Sequence, residues 1–192
     1  GQRRLRKLLE WLIENNVYAV SVSIPYLLEF IKYNYPELKV YVSMLGGVDS
    51  LERAKYWDSL GVDRITLSAV SGITRNFTLL RKIQEGIRCQ LELIANLSCL
   101  NECPFWTYHC AVDSHFSQTP NHRQKGAIDY CLAKCNYMKI KDPAEFIRSG
   151  WIRPEDLGYY EELGIKRIKI TNQNKNTAEV MKTLKAYSLR RY

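Results

Sequence analysis

The sequence predicts an α/β fold with a parallel sheet, because segments typical of strands and of helices alternate along most of the chain. Residues 60–68 and 163–171 resemble one another: each combines a helix end, a glycine and a short strand. Repeated short units without a dinucleotide-binding glycine motif favour a β/α barrel of the TIM type over a doubly wound open sheet.

The first part of the chain contains a leading helix and two strand–helix units. Leucines at positions 5, 8, 9 and 12 recur at helical spacing and predict an amphipathic helix. Pro25 suits the first turn of a helix, and Ser50 is a typical helix cap. The predicted elements are a helix over 2–15, a strand over 17–23, a helix from Pro25 to about Tyr33, a strand over 39–44 and a helix after Ser50.

The second part continues the alternation around a cysteine-rich insertion. Gly61 and Gly164 are each expected to end a helix before a strand. The acidic residues after Pro154 favour a helix start there, because they lie near its positive end. The predicted elements are strands over 62–68, 89–96 and 165–171, helices over 77–87, from 154 and over 176–190, and a further strand near 146–152.

The number of predicted strands falls short of a closed barrel. A complete barrel takes eight units and about 250 residues, whereas this chain has 192 residues. We therefore predict one incomplete barrel domain over residues 1–192, with a cysteine-rich insertion over 97–145 after a barrel strand. About two β/α units are expected either before Gly1 or on a partner chain.

Composition indicates a globular protein with a basic surface. The hydrophobic fraction is 46% and the charged fraction 25%, and no apolar run is long enough to cross a membrane. No signal-peptide pattern opens the chain, so we expect a cytoplasmic protein without a membrane partner. The net charge of +8 suits RNA or an anionic small-molecule substrate, although solvated helix faces explain it equally well.

Five of the six cysteines lie within residues 99–135, which favours a metal site over a disulfide framework. Three residues separate the cysteines of each of two pairs, and the spacing suits zinc or an iron–sulfur cluster. We expect these two pairs to bind one centre, with Cys110 as a spare thiol and Cys89 as a buried core thiol. The predicted ligands are Cys99, Cys103, Cys131 and Cys135.

Four other residues are candidates for catalysis at the carboxyl ends of the strands, where barrel active sites form. His109 and His115 flank the cysteines and are candidates for acid–base or substrate-binding groups, or else bond to the loop backbone. Arg153 suits a carboxylate or phosphate, but it could instead pair with a neighbouring acid. Lys169 lies in the last strand, where an inward side chain would belong to the site and an outward one to the surface.

Two blocks of this sequence together resemble the collagenase-like peptidase family, family thirty-two of the peptidases of unknown catalytic type. The first block runs from Glu92 to Asn96 and continues through Cys99, Cys103-Pro104-Phe105 and His109. The second is Trp151-Ile152-Arg153-Pro154-Glu155-Asp156-Leu157, followed by Tyr160 and Lys169-Ile170. The resemblance covers most of the chain.

The resemblance implies a β/α barrel that carries a four-iron four-sulfur cluster on four cysteines. It further implies either peptidase activity or oxygen-independent hydroxylation, in ubiquinone synthesis or of an RNA base, with prephenate as the oxygen donor. Two features depart from the family pattern. Asn172-Gln173 stand where the family often has Gly-Arg, and two further strands are absent from the front.

Three classes of function follow. The favoured one is an iron–sulfur enzyme that hydroxylates or otherwise modifies an RNA base or a small aromatic substrate. The second is a peptidase, either independent of metal or stabilised by zinc, although no residue stands out as its nucleophile. The third is a non-catalytic RNA-binding module in which a structural metal fixes the long cysteine-rich segment.

Overall fold

The computed structural model describes residues 1–118, 130–171 and 175–191. Its five-stranded sheet has the order β1-β2-β3-β4-β5, and the pairs from β1 to β4 are parallel. This confirms the α/β class and the parallel sheet. The strands are β1 (Ala19–Val22), β2 (Lys39–Val42), β3 (Arg64–Thr66), β4 (Gln90–Ile94) and β5 (Arg167–Lys169).

The helices agree with the capping and periodicity signals of the sequence. Pro25 occupies the first turn of its helix, and the Ser50 hydroxyl accepts a hydrogen bond from the Arg53 amide. Asn176 and Glu179 form a reciprocal capping box. The helices are α1 (Gln2–Glu14), α2 (Pro25–Asn34), α3 (Leu51–Ser59), α4 (Phe77–Gly86), α5 (Trp106–Gln118), α6 (Tyr130–Lys141), α7 (Ala144–Arg148), α8 (Leu157–Glu162) and α9 (Thr177–Leu189).

The chain divides into two compact units. The first comprises Gly1–Ser68, Thr78–Leu93 and Tyr160–Arg167, and its core contains the fully buried Val40, Ile65 and Leu80. The second comprises Ala69–Phe77, Ile94–Tyr159 and Ile168–Tyr192 and contains the whole cysteine-rich segment. In the described part of the chain, no helix has the length and apolarity needed to span a membrane.

The predicted strand near residues 146–152 is wrong. Its first part belongs to α7, which begins after Asp142-Pro143, and the Asp142 carboxylate accepts a hydrogen bond from the Ala144 amide. The segment then makes one backbone bond to the sheet end, from the Ile152 amide to the Ala95 carbonyl at 2.7 Å. A local cap therefore outweighs the apolar residues that suggested a strand.

Tyr187 of α9 holds this returning segment inside the second unit. Its hydroxyl lies 2.6 Å from the Ile152 carbonyl oxygen and 3.1 Å from that of Ala95. Both carbonyls are buried, so their hydrogen bonds matter for stability. Gly150, just before, is also buried, and a Cβ there would come within 2.3 Å of the Ala69 carbonyl oxygen.

We expect Gly150→Ala to lower the free energy of unfolding by about 1–3 kcal/mol, because backbone must move to admit the methyl group. Gly158→Ala is the control, since its Cβ would meet no atom closer than 4.0 Å, from Arg190. Urea unfolding measures both changes. Equal stabilities of the two variants would show that the segment around Gly150 is loosely packed.

Asp63 forms the main polar contacts at the start of the sheet in the first unit. Its carboxylate pairs with Lys32 at 2.5 Å and Lys39 at 3.0 Å and accepts the Val40 amide at 2.9 Å. Burial raises the pKa of Asp63, but the hydrogen bonds from Lys32, Val40 and Lys39 outweigh it and hold the pKa below its ordinary value.

The Asp63 contribution to stability should therefore be present above the unfolded-state pKa and disappear as the pH falls through the lower folded-state pKa. We expect Asp63→Asn to lower the free energy of unfolding at pH 7 by about 1–3 kcal/mol. The difference from wild type should shrink below about pH 4. Urea unfolding across this range measures it, and a difference independent of pH would contradict the ionic origin.

Candidate metal centre

The end of β4 is fixed before the cysteines begin. The Asn96 side-chain oxygen accepts hydrogen bonds from the Thr171 amide at 2.7 Å and hydroxyl at 3.1 Å, and its amide group donates to the Thr171 carbonyl at 2.9 Å. The preceding Ala95 amide donates to the Lys169 carbonyl at 3.1 Å. These bonds set the direction in which the chain leaves the strand.

The first cysteine pair lies on the short segment between β4 and α5. Leu100 anchors the segment in the core with 2% of its surface exposed, and the Cys103 amide donates to the Val70 carbonyl at 3.3 Å. Glu102 adopts a left-handed backbone conformation with φ of 48°, so the chain turns sharply between the two cysteines. Both thiols are half-buried.

The second pair lies on α6. Cys131 is buried and Cys135 half-buried, and residues four apart share one face of a helix. The start of α6 lies close to the start of α5, because the Phe105 and Tyr130 rings meet edge to face with centroids 6.3 Å apart. Pairs that are distant in sequence thereby reach the same region.

One cavity of about 240 Å³ brings all four predicted cysteine ligands together. His109 and Lys139 also line it, with the aromatic walls of Phe105 and Trp106. Within the described ranges, no three His, Cys, Asp or Glu side chains are grouped closely enough to hold a metal ion. The cysteines thus share a cavity without forming a closed coordination shell. The wall residues are Cys99, Cys103, Cys131, Cys135, Phe105, Trp106, His109 and Lys139, with Leu97, Ser98, Leu132 and Asn136.

The electrostatics of the cavity disfavour free thiolates. Burial raises the pKa of the Cys99 thiol to about 11, and the thiols of Cys103, Cys135 and Cys110 add to the increase. The charge of Lys139 opposes it. A bound cation would offset the repulsion between neighbouring thiolates and displace the protons of the cysteine thiols. Four converging soft donors fit zinc or an iron–sulfur centre.

The histidines differ in their relation to the cavity. His109 is half-buried on α5 and lines the cavity, and its backbone amide donates to the Phe105 carbonyl at 2.8 Å. His115 lies further along the same helix, is exposed and is not among the lining residues. Cys110 is half-buried on α5 and does not line the cavity either. Another histidine of the polar stretch, His122, lies outside the described residues.

The other candidates lie elsewhere in the fold. Arg153 is exposed and makes a two-pronged pair with Asp156, at 2.8 and 2.6 Å, which raises the pKa of the guanidinium. Of the two roles considered for Arg153, the structure shows the pairing with a neighbouring acid. Lys169 is the half-buried last residue of β5. Asn172-Gln173, where the family pattern differs, lie outside the described residues.

Cys89 is half-buried, not fully buried as expected from the sequence. It directly precedes β4, and its amide donates to the Asp58 carboxylate at 2.9 Å. Burial, followed by the hydrogen bond with Asp58, raises the pKa of its thiol to about 12. Cys89 is thus an unreactive thiol at neutral pH.

A polar cluster in the first unit was missed by sequence reasoning. The Arg64 guanidinium lies 3.1 Å from the Glu92 carboxylate and 4.0 Å from the centroid of the Tyr41 ring, and the Thr66 hydroxyl donates to Glu92 at 2.9 Å. The sequence feature that could have revealed this cluster is the alternation of charged residues with apolar ones along β3 and β4. Since Ile65 and Leu91 are buried among the neighbours, alternation places the cluster on the opposite face of the sheet.

The fold and the cysteine-lined cavity define a mixed α/β protein with a candidate soft-metal site. The model of peptidase family U32 matches residues 2–190, and the chain belongs to that family. The uncharacterized protease MJ1657 of Methanocaldococcus jannaschii is 36% identical over 172 residues, which cover 89% of this chain and 49% of that protein. The chain therefore spans about half the length of this curated relative.

A solved structure agrees in fold. The structure of the U32 peptidase Mk0906 superposes with a TM-score of 0.61, covering 92% of this chain and 64% of that chain at 23% sequence identity. At this identity the likeness extends to the fold alone. The family resemblance recognised from the two sequence blocks is confirmed by the family model and the relative.

The raised pKa of Cys99 predicts slow alkylation of this thiol in metal-free protein. At pH 8 its thiolate fraction should be about a hundredfold below that of the same cysteine in the urea-unfolded chain. Iodoacetamide labelling followed by peptide mass spectrometry measures the ratio, with Cys89 as an internal comparison. Equally fast labelling in the folded and unfolded chains would contradict the buried environment of Cys99.

Proposed function

We propose that this chain is the cysteine-bearing part of an iron–sulfur enzyme, in which Cys99, Cys103, Cys131 and Cys135 hold a four-iron four-sulfur cluster. The observation that carries the proposal is the cavity lined by all four thiols together with His109 and two aromatic rings. When bound, the cluster would supply one-electron transfer. The reaction class is oxygen-independent hydroxylation, or a related redox modification, of an RNA base or a small aromatic substrate.

The protein's own residues would bind and orient the substrate beside the cysteines. Phe105 and Trp106 offer flat apolar surfaces for an aromatic ring and limit the access of water. His109 would donate or accept a hydrogen bond at the cavity wall, and imidazole is a side chain suited to acid–base chemistry there. His115, Arg153 and Lys169 do not line the cavity, so roles for them would lie in contacts with more distant parts of a substrate.

The barrel remains part of the proposal. The sheet order follows the sequence from β1 to β5 without a reversal, which supports a singly wound barrel over a doubly wound sheet. In that arrangement, the cysteine-rich insertion over 97–145 follows the carboxyl end of β4, where barrel enzymes form their sites. The remaining β/α units of one domain would be contributed by further chain or by a partner.

A basic surface on α9 supports an RNA substrate. A second cavity, of about 290 Å³, is lined by Lys182, Lys185 and Arg191 with the apolar Ala186 and Leu189. Lysine and arginine side chains of this kind bind phosphate groups, and the net charge of +8 acts in the same direction. The same surface would serve an RNA-binding module that performs no reaction.

Anaerobic reconstitution with iron and sulfide tests the cluster. We expect brown protein with broad visible absorption and about four iron and four sulfide ions per chain. Serine substitution of Cys99, Cys103, Cys131 or Cys135 should remove most of the bound iron, while Cys89→Ser, outside the cavity, should leave it unchanged.

Three results would overturn this proposal. Colourless protein that retains one zinc ion per chain through the same treatment would indicate a structural zinc site. Cleavage of denatured collagen by metal-free protein would instead support the peptidase alternative. Salt-sensitive RNA binding without a modified product, by protein loaded with its cluster, would favour the non-catalytic RNA-binding module.

A further inference from the structure

We propose that Lys139 is a positioning residue whose fixed positive charge stabilises an anionic metal–thiolate centre in the cysteine-lined cavity. The inference rests on the proposed function, since it presumes that the thiols hold a metal centre. It adds to that function a residue that does not ligate the metal but sets its affinity and reduction potential.

Lys139 is buried in an unusual environment. Only 7% of its surface is exposed, and lysine is almost never buried to this degree without an opposite charge. Its ammonium group donates a hydrogen bond to the Ser98 carbonyl and lies 5.4 Å from the centroid of the Phe146 ring. Among the described residues, no carboxylate forms an ion pair with it. Within the part of the chain that the structure describes, this buried positive charge therefore has no anionic partner.

The cavity supplies the place for that anion. Lys139 lines the same cavity as the four cysteines, and its ammonium group is bonded to the carbonyl of Ser98, the residue directly before Cys99. Four thiolates around a divalent ion, or around a four-iron cluster, leave a net negative charge. A buried ammonium beside such a centre becomes one half of a charge pair.

The spacing along α6 places Lys139 on the same helix face as the second cysteine pair. Cys131, Cys135 and Lys139 follow one another at intervals of four residues on α6 and so share one face. The two cysteines and the lysine are all among the residues that line the cavity. Lys134, on the same helix, is exposed and does not line it.

The alternative is a purely structural role, in which Lys139 only ties the Ser98 carbonyl before the first cysteine. Three substitutions separate the two roles. Lys139→Gln keeps a hydrogen-bond donor without the charge, Lys139→Met removes both, and Lys139→Arg keeps the charge. Lys134→Met is the matched control for a lost lysine on α6.

The first measurement is Co²⁺ binding to the whole chain under anoxic conditions, followed by the thiolate-to-cobalt absorption. We expect Lys139→Met and Lys139→Gln to bind Co²⁺ about 10–100-fold more weakly than wild type, and Lys139→Arg and Lys134→Met to bind within about threefold of it. Thermal unfolding of the metal-free variants shows whether each one folds.

The second measurement is the midpoint potential of the reconstituted centre. Loss of a nearby positive charge makes reduction harder, so the Gln and Met variants should shift to lower potential and the Arg variant should not. Affinity and potential unchanged in Lys139→Gln would overturn the inference and assign Lys139 the structural role. Failure of wild type to bind either Co²⁺ or a cluster would overturn the proposed function and, with it, this inference.

Discussion

The path of the cysteine-rich segment depends on the hydrogen bonds that hold the end of β4. Asn96 forms hydrogen bonds with the amide, hydroxyl and carbonyl of Thr171, and the Tyr187 hydroxyl bonds the Ala95 carbonyl just beyond the strand. Backbone groups at the end of a buried strand must find such partners, because leaving them unpaired costs about 1–3 kcal/mol each. The route of the chain into Cys99 is therefore set by polar side chains of the second unit and not by the cysteines themselves.

The second requirement is that α6 faces this segment. Its cysteines are four residues apart and therefore lie on one face of the helix. The contact of Phe105 with Tyr130 holds the starts of α5 and α6 close together. The first pair has the same spacing but a different conformation, with a turn at Glu102 in place of a helix. Equal intervals in the sequence thus arise from two different local structures that open onto one cavity.

The elements that sequence reasoning located correctly carry local signals: Pro25 in a first helical turn, the Ser50 cap, and glycines with positive φ at positions 61 and 164. The strand expected near 146–152 failed because Asp142-Pro143 starts a helix that apolar content alone does not reveal. The burial of Lys139 and the pairing of Arg64 with Glu92 depend on residues 28 or more positions away, so composition and spacing could not foretell them. The matching spacing of the two cysteine pairs predicted that they share one site, but it did not predict the other residues that line the cavity.

The charges of the cysteine thiolates and of Lys139 have to be considered together, because both groups line the same cavity. With a pKa of about 11, forming the Cys99 thiolate at pH 7 without a cation costs about 5 kcal/mol. Structural zinc sites in small peptides bind their metal with about 10–16 kcal/mol at that pH, which exceeds such a cost. A centre with four thiolates would carry excess negative charge into a buried place, and the ammonium group of Lys139 would bring the opposite charge to the same cavity wall. Burying either charge alone would be unfavourable. The two opposite charges would stabilise one another only when the cavity holds a metal centre.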